Sequence, residues 1–171
     1  MDDLRQLYQQ LILEHAKKPS HKVDSGNISD DTSNVIAGLT RNLRADDDTL
    51  GFGTSNQINA TCGDEITMAV LLKDGTIIDL AWEGQGCSIS QASASIMTEL
   101  AANNAITDFL VSDAIFHELM SSKGKGLTDP DAEEKLGDAV VFTGVSQYPA
   151  RIKCALLGWE SLRGAILDAT S

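Results

Sequence analysis

Basic residues are scarce in this chain. Thirteen Lys and Arg stand against 25 Asp and Glu over 171 residues, a formal net charge of −12. Nucleic-acid binding needs a basic footprint and anionic membranes attract one, so the charge argues against both as partners. A partner with a basic docking surface suits the overall charge better; solubility alone is the competing explanation. No apolar run approaches membrane-spanning length, and the start Met1-Asp2-Asp3-Leu4-Arg5 lacks the basic-then-apolar order of a secretory signal. Cysteine is limited to three residues, an odd number that cannot pair completely. Without a signal, that usage reads as reduced thiols in the cytoplasm.

Several motifs are also missing. Gly84-x-Gly86 lacks the third glycine of a dinucleotide fingerprint, because position 89 is Ile. The His-x-Glu and Pro-Cys-x-x-Cys signature of zinc deaminases is absent, and so is any Cys-x-x-Cys pair. His15, His21 and His117 have no context that would pair one with a cysteine nucleophile. His15 reads as a cation at a helix end and His117 as a partly exposed helix residue. Ser88, Ser90, Ser93 and Ser95 read as capping and small-residue packing rather than nucleophiles.

What is present begins with a 42% hydrophobic content, sufficient for one domain with its own core over 1–171. Leu4, Leu7, Tyr8, Leu11 and Ile12 recur at helical spacing, so 2–16 is predicted to be an amphipathic helix stopped near Lys17-Lys18-Pro19. The stretch 20–56 is rich in Asp, Ser, Asn and Gly and reads as a long polar insertion. The runs 66–72 and 76–82, joined by Lys73-Asp74-Gly75, predict a hairpin with one apolar face for helices to cover. Ser88 with Gln91 matches a capping box opening a small-sided helix to about 102. Further helix is expected over 107–121, with starts at Thr107-Asp108 and again at Ser112-Asp113. Asp129-Pro130 is an N-cap followed by proline, and Gly137 is a stop. The run 140–142 is too short to assign. Pro149 opens a last helix with Ile152, Leu156, Trp159 and Leu162 on its apolar stripe.

The flanks of the cysteines carry the chemistry. Cys62-Gly63-Asp64 sets two ligand types at i and i+2, where a tight turn can point both the same way, and Gly63 permits the turn. Cys87 follows Gly84-x-Gly86 at the end of a strand and the start of a helix, whose free N–H groups favour a thiolate. Cys154 lies in the first turns of the last helix, with Arg151 three residues earlier on the same face. Three thiols and a carboxylate make a complete tetrahedral set for a borderline-soft metal. For any one cysteine the competing reading is a small buried hydrophobe.

With these motifs, and with Glu83-Gly84-Gln85-Gly86-Cys87-Ser88-Ile89-Ser90-Gln91 and Gln147-Tyr148-Pro149-Ala150-Arg151-Ile152-Lys153-Cys154, the chain resembles the SufU/IscU/NifU-N family of iron–sulfur cluster assembly proteins over nearly its whole length. Lys153 stands where IscU-type scaffolds carry His, and the stretch from Cys87 to Cys154 holds extra residues; both features point to the SufU branch. Two features depart from the pattern: Ala60 replaces the proline of Asn-Pro-x-Cys-Gly-Asp, and the polar segment before Cys62 is long. The resemblance implies an α+β fold, a small antiparallel three-stranded sheet with helices packed on one face, the remaining strand falling near 54–59. It implies zinc on Cys62, Asp64, Cys87 and Cys154, with Arg151 offsetting the negative site or pairing with Asp64; a merely solvated Arg151 is the alternative. It implies zinc-dependent sulfur transfer in which Cys62 accepts sulfur from a pyridoxal-phosphate cysteine desulfurase of SufS type, for downstream cluster-assembly proteins. The alternatives are a scaffold holding a labile [2Fe–2S] cluster on the same residues, and a structural zinc module.

Overall fold

A computed structural model of the chain describes residues 2–23 and 49–171. Among them, helix α1 spans Asp2–Lys17 and is followed by strands β1 (Leu50–Ile58), β2 (Glu65–Lys73) and β3 (Thr76–Gln85). Helices α2 (Ser88–Ala101), α3 (Ile106–Met120) and α4 (Pro130–Leu136) come next, then 3-10 turns over Gly137–Gln147 and the long helix α5 (Pro149–Thr170). The strands form one antiparallel sheet in the order β1-β2-β3. Asp74 and Gly75 turn β2 into β3 with φ of 50° and 76°, the left-handed pair that a tight hairpin requires.

Side chains alternate across the sheet. Ile66, Met68, Val70 and Leu72 of β2, with Ile77 and Trp82 of β3, face the helices and form the main core. On the other face Ala69 and Ala81 are buried beside Val23 and Phe52. The expected α+β architecture is the observed one. Helices α2 and α5 cross closely because small residues meet: a Cβ on Gly158 would sit 2.9 Å from the Cβ of Ala94.

Four local expectations need correction. Strand β1 starts at Leu50, four residues before the expected start, inside the stretch taken for a polar insertion. Gly51 and Gly53 disguise it, and they are required because α5 lies against the strand: a Cβ on Gly51 would meet the Ala169 carbonyl at 3.0 Å. The first insertion residues are also ordered, since Val23 N–H donates to the Trp82 carbonyl (2.8 Å) and the Trp82 indole to the Ser20 carbonyl (2.9 Å). The remainder of the insertion, 24–48, lies outside the described residues. Ser88 does not cap α2. The N-cap is Cys87, and the Gln91 side chain donates instead to the Gly86 carbonyl (3.1 Å).

Helix α3 is continuous through Ser112-Asp113, because both find tertiary partners. The Ser112 hydroxyl donates to the Lys135 carbonyl (3.3 Å), and Asp113 pairs with Arg163 (2.9 Å). His15 lies in the last turn of α1, as expected, and its Nδ1, 2.7 Å from the Ser95 hydroxyl, also ties α1 to α2. The expected Asp129 cap is present and accepts from Asp131 N–H (3.0 Å).

Candidate metal centre

The loop 59–64 between β1 and β2 is closed by its own backbone. Asn59 N–H donates to the Asp64 carbonyl and Gly63 N–H to the Asn59 carbonyl, both at 2.8 Å. The Asn59 side-chain oxygen accepts from Thr61 N–H (3.1 Å), completing a turn that does not depend on the missing proline. Gly63 sits at φ 76°, where an L side chain is costly. The turn therefore leaves Cys62 exposed and folds Asp64 inward, 5% exposed.

Helix α5 brings Cys154 to the same place. Its sulfur lies 3.6 Å from that of Cys62, and both thiols are free. The ligand atoms of Cys62, Asp64 and Cys154 all lie within 4.8 Å of one another. The buried Asn59 amide donates toward the Cys154 sulfur at 3.8 Å. Cys87 approaches from the start of α2 and stands just outside that trio. Its N–H donates to Asp64 Oδ1 (3.3 Å), and its sulfur lies 3.4 Å from the Ser90 hydroxyl. A Cβ on Gly86 would sit 2.9 Å from Asp64 Cγ, so glycine there leaves room for the carboxylate.

Charge is tuned by this packing. Burial works against ionised Asp64, but hydrogen bonds from Ser90 and then the three thiols outweigh it and hold the carboxyl below its ordinary range. Burial first, then hydrogen bonding with Cys62 and the proximity of Cys87, push the Cys154 thiol far up. Tetrahedral zinc sits about 2.3 Å from each thiolate, which separates two sulfurs by about 3.8 Å. The observed 3.6 Å matches that edge, and the donor set suits a borderline-soft divalent ion. Cys62, Asp64, Cys87 and Cys154 would hold it.

Arg151 is exposed on the first turn of α5 and forms no ion pair with Asp64 among the described residues. Asp64 is buried and already accepts from Ser90 and the Cys87 N–H, so no pairing is needed to satisfy it. Ser90 was assigned to packing by the sequence; it is fully buried, and its hydroxyl donates to Asp64 Oδ2. Its place one turn after Cys87 was the only signal. Each carboxylate oxygen has a second lone pair, so Ser90 can orient Asp64 without blocking it. Ser90→Ala is expected to lower zinc affinity about 10–100-fold in chelator competition. In an Asp64→Ala background the same change should add little. A full additive loss would mean that Ser90 does not act through Asp64.

Comparison with known proteins places the chain in a family. Residues 7–155 match the family model described as the NifU-like N-terminal domain, so the chain belongs to that family of iron–sulfur cluster assembly proteins, which includes IscU and SufU. It is 34% identical to the zinc-dependent sulfurtransferase SufU of Bacillus subtilis strain 168, over 96% of this chain and 92% of that one. It is 31% identical to the cluster assembly scaffold IscU of Streptococcus pyogenes serotype M1, over 97% and 86%. Among solved structures, a candidate cluster assembly scaffold protein for the SUF system of Fervidobacterium islandicum AW-1 superposes with TM-score 0.64 at 27% identity, over 94% and 97%. A NifU-like N-terminal domain from Brucella abortus gives TM-score 0.70 at 19% identity, over 96% and 94%, a likeness of fold. No described helix is long and apolar enough to cross a membrane.

Proposed function

We propose that this protein is a zinc-dependent sulfurtransferase of iron–sulfur cluster assembly, which takes sulfane sulfur onto Cys62 from a pyridoxal-phosphate cysteine desulfurase of SufS type. The observation that carries the reading is the unequal exposure of one thiol cluster. Cys62 is open to solvent, whereas Asp64 and Cys154 beside it are buried. Such a site presents the Cys62 sulfur, with the exposed Cys87 nearby, to a partner and anchors Asp64 and Cys154. Similarity to the Bacillus subtilis sulfurtransferase supports the same reading.

In the reaction, the Cys62 thiolate attacks the outer sulfur of the donor persulfide. A Cys62–sulfur bond forms, the donor's sulfur–sulfur bond breaks, and the donor cysteine leaves as a thiolate that takes up a proton. Bound zinc supplies charge that keeps the cluster's thiols deprotonated near neutral pH. Asn59 and Ser90 hold Cys154 and Asp64 in place while Cys62 reacts. Arg151, exposed at the start of α5, is available to meet the anionic donor persulfide.

A scaffold holding a [2Fe–2S] cluster on the same residues is the second reading, favoured by the similarity to IscU and by a carboxylate ligand that releases iron readily. Anaerobic purification followed by metal analysis and incubation with desulfurase and cysteine separates the two. Stoichiometric zinc, a colourless protein and sulfur on Cys62 are expected. Brown protein with iron and sulfide, and no sulfur on Cys62, would establish the scaffold instead.

A further inference from the structure

The overall charge of −12 hides a local exception beside the thiols. Residues 119–128 and 139–159 contain no Asp or Glu but carry Lys123, Lys125, Arg151 and Lys153. All four are exposed. The other nine Lys and Arg share the rest of the chain with all 25 acids.

The fold brings the two segments together. Gly124 N–H donates to the Ser146 hydroxyl (2.7 Å), and the Ser122 and Ser146 hydroxyls lie 3.2 Å apart. The Gln147 side chain fills the space where a Gly124 side chain would stand, its amide nitrogen 2.6 Å from that position. Two residues after Gln147, α5 begins and leads directly to Arg151, Lys153 and Cys154. The 121–126 loop is thus fastened to the approach to α5, the helix that carries Cys154. The sheet side is different, because Glu65 and Glu83 lie there at the ends of β2 and β3.

Lys123 occupies the left-handed region at φ 53°. Glycine or asparagine would adopt that backbone more easily than lysine. An exposed cation thus stands at a backbone position that does not favour it. Tyr148, 56% exposed, follows Gln147 in the chain and precedes Arg151 by three residues, and it offers the apolar contact around which charged rims are built.

We propose that the 121–126 loop and the first turns of α5 form a basic docking edge that receives an acidic face of the sulfur-donating protein. The inference rests on the reading of Cys62 as sulfur acceptor and names the chemistry of the partner's surface. A positive edge on a negative body gives the chain a dipole that turns its thiols toward such a face and rejects approach by the body.

The test measures binding of the zinc-loaded chain to the cysteine desulfurase at fixed ionic strength, alongside sulfur uptake by Cys62. Lys123→Glu/Lys125→Glu should weaken binding about tenfold or more, mainly through the association rate. Lys123→Gln/Lys125→Gln should fall between it and wild type. The charge-matched control Lys18→Glu/Lys135→Glu, on exposed residues of other segments, should stay within about twofold. Zinc content and melting temperature check that each variant is folded. If the loop variants bind as tightly as the control, the docking edge is overturned and the sulfur-transfer reading stands. If wild type binds but Cys62 takes up no sulfur, the sulfur-transfer reading falls alone. A wild type that does not bind overturns both.

Discussion

Cys62→Ser is expected to abolish sulfur uptake from the desulfurase, with a loss on the order of a thousandfold or more. A serine hydroxyl is a far weaker nucleophile than a thiolate near neutral pH, and the other two sulfurs cannot substitute in place. Cys154 is buried, away from a partner's persulfide. Cys87 is exposed, but it stands outside the close trio at the start of α2. Mass spectrometry of the chain after a single exposure to persulfide-loaded desulfurase reads the result directly. The expected outcome is no sulfur adduct on the variant and one on Cys62 in wild type, with the same far-ultraviolet circular dichroism for both. An adduct forming on Cys62→Ser at the wild-type rate would move the acceptor to another cysteine.

Trp159→Ala should produce the largest loss of stability, about 3–5 kcal/mol. The indole is 1% exposed and stacks on Phe116, with centroids 4.3 Å apart and planes at 10°, and on Phe109 at 6.0 Å. Its N–H donates to the Ser93 hydroxyl (3.1 Å), which in turn donates to the Ala155 carbonyl (2.6 Å). That chain of contacts fixes α2 against α5. These are the helices that carry Cys87 with Ser90 and Cys154, so the change acts on the site as well as on the core. Removing the ring leaves a cavity and strips the Ser93 hydroxyl of a partner. Urea unfolding should show the midpoint shift, and zinc affinity should fall with it. A loss below about 1 kcal/mol would mean that the ring is not what joins the two helices.

Legibility varied with the range of the interaction. The hairpin at Asp74-Gly75, the cap at Asp129, the proline that opens α5 and the extent of α1 are written in a few neighbouring residues, and each appears where the sequence puts it. Strand β1 was obscured because its glycines answer to α5, more than 100 positions away in the chain. Ser112-Asp113 looked like a helix start because the partners that engage the two side chains, Lys135 and Arg163, are remote in sequence. The same limit applied to Ser90, whose acceptor lies 26 residues upstream.

By itself the sequence determined the chemical types on offer and their local poses: a thiol and a carboxylate around a glycine turn, a thiol at a helix start and a thiol one turn into another helix. Those follow from backbone preferences over a few residues. Only the tertiary structure decided that the Cys62 and Cys154 sulfurs stand 3.6 Å apart, that Cys62 alone of the close trio is exposed, and that Arg151 stays free of Asp64. Separations of that kind are set by how closely α2, α5 and the sheet can approach. That approach depends on small residues and glycines meeting across the core, which no local pattern records.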